Sequence, residues 1–281
     1  MIRGLYTAAS GMAVQMDRQN TISNNLANVN TVGFKKDETI IKQFPELEVY
    51  RKGDKKEITP TEVKDILEKI GKLGTGATLE DVFTEFTQGS LQSTNNEFDF
   101  AIEGKGFFAL DTPYGIKMTR SGNFLLDQEG FLTSNDGYKV LGKASNGDIG
   151  YIKKKKADIE IGAKGDLKNI EIVGKLNGIK EFANISKLNT DNNKFLMIEI
   201  GDKENIKKEG ANMYSFEYAK GIKFSESSSV KQGYLENSTV NNIKEMVEMI
   251  SCSRLYETNQ KALKTQDEML AKAVNEIGKW G

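Results

Sequence analysis

The sequence has no histidine, a single cysteine (Cys252) and only three prolines in 281 residues. Without histidine there is no Ser/His/Asp or Cys/His triad, and the commonest metal ligand is missing. One cysteine excludes an intrachain disulfide and a cysteine-built zinc site. No window is apolar enough to span a membrane, and the N-terminus has Arg3 but not the 7–15-residue apolar run of a cleavable secretory signal. Net charge is −1, so no basic field recruits nucleic acid. These absences leave the chain without an expected catalytic, cofactor or metal site, and without nucleic-acid binding or direct membrane insertion.

Charge is also missing locally. Residues 1–34 contain only Arg3, Asp17 and Arg18, whereas residues 35–70 contain eighteen charged side chains. Ile2, Leu5, Ala9, Met12, Met16, Gln19, Ser23 and Leu26 follow alternating steps of three and four, which predicts an N-terminal helix with uncharged outer faces. A helix bathed in water is normally more charged, so these faces point to protein neighbours on several sides. The helix should end in the Asn-rich stretch Ser23 to Lys35, where Gly33 supplies a positive φ.

The longest regular pattern lies at the other end, in residues 240–280. Met249, Tyr256, Leu263, Leu270 and Ile277 recur every seven residues, flanked by Leu255, Ala262 and Met269. The second seam row reads Cys252, Asn259, Gln266, Ala273, Trp280 and is apolar only in part, so the helix needs more than one neighbour. Ser238 or Asn242 can cap it, with Glu245 completing a capping box.

Between the helices, Thr59-Pro60-Thr61-Glu62 followed by Val63, Ile66, Leu67 and Ile70 predicts a short amphipathic helix in a charged extension. From Leu91 the period becomes two. Phe98, Phe100 and Ile102 alternate with Glu97, Asp99 and Glu103, whose carboxylates are expected on the solvated face. Further strands are expected at 107–110, 116–120, 124–127, 138–141, 149–152, 159–161, 170–173, 195–200 and 213–218. Turns fall at Glu129-Gly130, Asp136-Gly137, Asn146-Gly147 and Asn177-Gly178. The run Lys153 to Lys156 reads as a solvated loop or a protected sheet edge.

Four separated blocks carry a family resemblance. The first is Ser23-Asn24-Asn25-Leu26-Ala27-Asn28 followed by Thr31-Val32-Gly33-Phe34-Lys35. The second is Gln88 to Thr94, leading into Asp99 to Ile102 and Gly104-Lys105-Gly106-Phe107-Phe108; the third is Thr119 to Phe124 with Gly130-Phe131-Leu132. The last comprises Gln232-Gly233-Tyr234-Leu235-Glu236, Glu245-Met246-Val247 and Arg254 to Asn259. In these the chain resembles the flagellar basal-body rod and hook proteins of bacteria.

The expected fold is therefore a mainly β central domain, an antiparallel sandwich or barrel-like, bracketed by long N- and C-terminal α-helices that pack together in a coiled-coil-like bundle. The expected divisions are 1–35, 36–90, 91–230 and 231–281. The resemblance implies a structural subunit, exported without a cleaved signal and polymerising into a helical tube in the basal body. Its partners would be copies of itself, neighbouring rod and hook proteins, the export apparatus and a surrounding ring or bushing. The expected interface uses Leu5, Met12, Met16, Leu26, Met249, Tyr256, Leu263 and Leu270 as apolar anchors. Asn24, Asn25, Asn28 and Gly33 would fix the exit from the first helix.

Overall fold

The computed structural model describes residues 2–52, 56–59, 62–64, 67–145, 148–155, 160–161, 167–174, 194–200, 206–210, 212–216, 222–224 and 228–277. The chain divides into two compact units. A helix-and-ribbon unit comprises Met1–Ala27, Asp37–Glu85 and Asn241–Gly281; a β unit comprises Asn28–Lys36 and Phe86–Val240.

In the first unit, α1 (Ile2–Ala27) and α2 (Asn242–Ile277) pack on one another, and α1 also touches the ribbon strands β1 and β6. The ribbon is a nested set of antiparallel pairs. The strand β1 (Asp37–Gln43) pairs β6 (Ala77–Thr84), β2 (Leu47–Lys52) pairs β5 (Leu67–Leu73), and β3 (Lys56–Thr59) pairs β4 (Glu62–Lys64). The helix expected after Thr59 is therefore not formed; its start, Pro60 and Thr61, and Ile66 lie outside the described residues. The residue before a proline favours extended backbone, which suits Thr59 equally as an N-cap and as the last residue of β3, so the proline does not decide between the two. Residues 67–73 find ladder partners on β2 at every position but the bulged Ile70, with Leu73 opposite Leu47 and Gly71 opposite Val49, so pairing overrides local helical periodicity.

The β unit begins with β7 (Leu91–Ser93) and β8 (Phe100–Glu103) and continues through β9 (Phe107–Thr112), β10 (Gly115–Thr119), β11 (Leu125–Leu126) and β12 (Leu132–Thr133). Next come β13 (Lys139–Lys143), β14 (Ile149–Lys154), β15 (Glu160–Ile161), β16 (Leu167–Lys168) and β17 (Ile170–Val173). The series ends with β18 (Lys194–Phe195), β19 (Met197–Ile200), β20 (Ile206–Glu209), β21 (Met213–Phe216), β22 (Ile222–Phe224), β23 (Ser229–Gln232) and β24 (Tyr234–Glu236). Among the described residues one antiparallel sheet runs β11-β12-β13-β9-β10-β21-β20, with β14, β17, β18, β19 and β22 joined to it. The pairs β8 with β23 and β7 with β24 stand beside it.

The period-two pattern builds two cores from this sheet. On β9, Phe108 and Leu110 enter a cluster with Phe100, Phe124, Val140 and Phe195, whereas Phe107 and Ala109 enter another with Met118, Leu141, Leu196 and Tyr214. Successive side chains point to opposite faces, so a strand apolar at every position is buried on both. Phenylalanine rings meet edge to face in the first core, Phe108 with Phe124 at 5.2 Å and Phe100 with Phe195 at 5.0 Å between centroids.

Several expectations find their strands here. Phe98, Phe100 and Ile102 face the first core, and the turns at Glu129-Gly130 and Asp136-Gly137 carry glycines with φ of 80° and 84°. The run 195–200 is broken at Leu196 into β18 and β19. Ile159, residues 217–218, Asn146-Gly147 and Asn177-Gly178 lie outside the described residues. Asp99 is not on the wet face: it is buried and accepts hydrogen bonds from Thr94 Oγ1 (2.6 Å) and Asn96 Nδ2 (3.1 Å). Those local donors close a loop around the carboxylate before the strand starts. Lys153 and Lys154 are on neither a loop nor an edge, because they pair β17 on one side and bond Phe131 and Gly130 on the other; Lys155 follows the strand and is exposed, and Lys156 lies outside the described residues. The lysine heads rest on aromatic rings, Lys153 Nζ 4.9 Å from Phe131 and Lys154 Nζ 4.9 Å from Phe98.

Candidate assembly interface

The contacts between α1 and α2 run in opposite directions along the two helices. Asn25 Nδ2 donates to Glu245 Oε2 (3.3 Å), Arg18 pairs Glu248 (3.6 Å), and Cys252 Sγ donates to Gln15 O (3.0 Å). Beyond these, a Cβ on Gly11 would lie 2.9 Å from Asn259 Nδ2, and one on Gly4 would overlap the Gln266 amide. The helices are therefore antiparallel, and the polar seam positions Asn259 and Gln266 sit over glycines. Where a side chain is reduced to hydrogen, the backbones come close enough for the facing amide to fill the gap.

Every α2 seam position from Met249 to Leu270 is at least partly covered. Met249, Tyr256, Leu263 and Leu270 are half-buried with Asn259 and Gln266, and Cys252 is fully buried, with burial pushing its thiol pKa up. Ile277 closes the helix, and Trp280 lies outside the described residues. The α1 seam is shifted from the expected row. Ala8, Val14, Ile22 and Asn25 are the buried positions, while Ala9, Met16 and Ser23 are exposed. Leu5, Met12 and Leu26 are half-buried. Glycines 4 and 11 draw their own row toward the partner helix, which turns Met16 outward.

The Asn-rich corner is built mainly on Asn25. Its side chain donates to Asp37 O (2.8 Å) and accepts from Asp37 N (3.0 Å), as a neighbouring strand would, fixing the start of β1. Asn28 accepts from Thr31 Oγ1 (3.1 Å), Gly33 has φ 66°, and Asn24 is exposed. The cap of α2 is Asn241, whose Oδ1 accepts from Lys244 N (3.1 Å), rather than Ser238 or Asn242. Glu245 does not close a capping box; it is buried and turned to Asn25.

Within the β unit, three charged side chains that are ordinarily found at surfaces meet out of water. Lys35 Nζ lies 2.5 Å from Glu236 Oε1 and 2.5 Å from Thr87 O. Glu236 Oε1 also accepts from Gly89 N (2.8 Å), and Oε2 accepts from Arg120 Nη1 (3.3 Å). Arg120 Nη2 donates to Gly104 O (2.7 Å). Burial lowers the pKa of Lys35 and of Arg120 while the Glu236 carboxylate raises both, so desolvation and pairing oppose each other here.

Three family models match the chain: "Flagella basal body rod protein" over residues 5–35, "Flagellar hook protein FlgE/F/G D1 domain" over 101–174, and "Flagellar basal body rod FlgEFG protein C-terminal" over 231–276. The flagellar basal-body rod protein FlgG of Bacillus subtilis is 33% identical, with 98% of this chain and 99% of that protein aligned. That of Borreliella burgdorferi is 38% identical over 98% of each. The chain belongs to the flagellar basal-body rod protein family. The flagellar hook-basal body complex protein FlhO of Bacillus subtilis is also similar, at 28% identity over 99% of this chain and all of that protein.

As a member of this rod family, the chain is a structural subunit of the flagellar basal body. The rod-family match at 5–35 ends on Lys35, and the C-terminal match opens five residues before Glu236. Both residues lie within the motifs that carry the family resemblance, where a charged side chain reads as surface. The available signal was a charge set inside a short glycine and apolar motif, as in Gly33-Phe34-Lys35 and Tyr234-Leu235-Glu236.

Proposed function

We propose that the chain polymerises through its terminal helices into the distal, rather than proximal, part of the rod, as a helical tube that transmits torque and encloses an export channel. Residues 1–35 and 231–281 are its axial segments, 36–90 an extension and 91–230 an outward β domain. The chain is exported without a cleaved signal, works in the cell envelope and carries no enzymatic activity. Its neighbours are copies of itself and other rod and hook proteins, together with the export apparatus and a surrounding ring or bushing.

One observation supports this reading above the rest. Among the described residues, 18 of the 22 exposed large apolar side chains lie in the helix-and-ribbon unit, against four in the β unit. On α2 they include Ile243, Val247, Ile250, Leu255 and Met269, on faces that α1 leaves open. Covering eighteen half-exposed side chains at about 1 kcal/mol each yields about 18 kcal/mol. Association costs about 4–15 kcal/mol, so a surface of this size is sufficient to drive assembly. Different faces meeting in a heterologous contact give an open helical filament when the rotation between copies does not close.

The coiled-coil-like bundle in this reading is formed by α1 and α2 together with the same helices of adjacent subunits. Leu5, Met12, Met16, Leu26, Met249, Tyr256, Leu263 and Leu270 serve as anchors, with Asn24, Asn25, Asn28 and Gly33 setting the corner. Electron microscopy of concentrated protein tests it: the wild type is expected to form open filaments and Leu263→Glu to stay unassembled with its β unit folded. Normal filaments from Leu263→Glu would refute the seam. A discrete small oligomer of the wild type would point instead to a ligand-binding β module.

A further inference from the structure

The chain passes between the two units four times, at 27/28, 36/37, 85/86 and 240/241. Inside the β unit, the segments leading to these passages converge on Glu236. Gly33 N donates to Glu236 O (2.7 Å), Thr239 N to Phe34 O (3.1 Å), Lys36 N to Thr239 Oγ1 (3.0 Å) and Asn237 N to Ser90 O (2.9 Å). The side chain of Glu236 adds Lys35 and Gly89, and Lys35 adds Thr87. Segments 28–36, 86–90 and 236–240 are thus held by one buried carboxylate and one buried ammonium.

We propose that Lys35, Glu236 and Arg120 are positioning residues that lock the chain passages into one rigid block, through which the rod subunit carries load. The inference rests on the rod reading above. Stability alone does not explain the device. An ion group this buried loses its hydration, and apolar replacements of similar volume are often as stable or more so. Arg120 even leaves its buried Nε without an acceptor among the described residues. What charged groups add over apolar ones is direction: the contacts to Thr87 O, Gly89 N and Gly104 O each fix a backbone position. The surroundings are shaped for that closeness. A Cβ on Gly33 would stand 2.6 Å from the Arg120 carbonyl carbon, and one on Gly89 would overlap Asn237 O.

The test uses the full-length protein with Glu236→Gln and, independently, Lys35→Met. Glu236→Gln keeps the shape and can still accept from Gly89 N, so it is the gentler of the two. Amide exchange is expected to accelerate at least about tenfold at Gly33, Lys36, Gly89, Asn237 and Thr239, as a local opening, with Ala109 and Leu196 in the sheet unchanged. In cells carrying either variant as the sole copy, rods should form in normal number, but swimming should be lost in viscous medium. Three outcomes overturn the proposal. They are unchanged exchange at the five amides, equal acceleration across the sheet in both variants, or unimpaired swimming under load. Failure of the rod reading is visible separately, in a wild-type protein that forms no filament.

Discussion

The two units spend their apolar residues in opposite ways. Of the buried apolar side chains in the described residues, 24 belong to the β unit and four (Ala8, Val14, Ile22 and Cys252) to the helix-and-ribbon unit. For large exposed ones the division is four against 18. The β unit closes its own core with phenylalanines packed edge to face, and needs no partner to do so. The helix-and-ribbon unit sets glycine, amide and charge beside the half-buried apolar row of α2 and leaves other Ile, Val, Leu and Met side chains outside. The polar positions within that seam specify register while contributing little burial, and an apolar exterior supplies the drive for association. The difference teaches that folding energy and assembly energy have been separated along the chain.

The largest effect expected of a single change probes the first half of that comparison. Phe108, fully buried, touches Phe124 and Phe195 at 5.2 and 5.3 Å. Phe108→Ala should cost about 3–5 kcal/mol of β-unit stability, read by denaturant unfolding followed through the β unit's tyrosines. A loss below about 1 kcal/mol would mean that the sheet does not depend on this cluster.

The second probe exchanges burial for exposure. Met269 is 53% exposed on α2, and Tyr114 is 87% exposed in the β unit. Both Met269→Glu and Tyr114→Glu should leave monomer stability within about 0.5 kcal/mol. Only Met269→Glu should also stop filament formation, because it places a carboxylate in a surface meant to leave water. Equal assembly of the two variants would erase the distinction between a surface that is merely exposed and one that is kept for a neighbour.

Sequence periodicity made α2 legible and α1 only half so, and the reason is physical. The α2 seam is marked by apolar residues every seven positions, so counting from Met249 finds the covered row. In α1 the row nearest the partner begins Gly4, Ala8, Gly11, Gln15, which carries too little apolar signal for any count to favour it. The ribbon was hidden because its strands are defined by partners far along the chain, such as Asp37 against Thr84. The β strands from Phe107 to Val173 were legible because neighbouring strands and their glycine turns are close in sequence. Lys35, Arg120 and Glu236 come from three distant segments, and a charged side chain by itself reads as surface.

The smallest effect concerns the seam itself. Gly11→Ala gains about 1 kcal/mol of helix propensity, but its Cβ would approach Asn259 Nδ2 to 2.9 Å. The obstacle is the tip of a flexible side chain, so the amide turns aside and the two terms nearly cancel in the free subunit. Thermal unfolding of the helices should then shift by no more than a few degrees. A bulkier Gly11→Leu cannot be accommodated by turning one amide. It should force the helices apart, reducing helical content in the free chain and preventing assembly. If Gly11→Leu instead folds and assembles like the wild type, close approach at Gly11 is not what sets the register. The exposed apolar faces alone would then have to select it from outside.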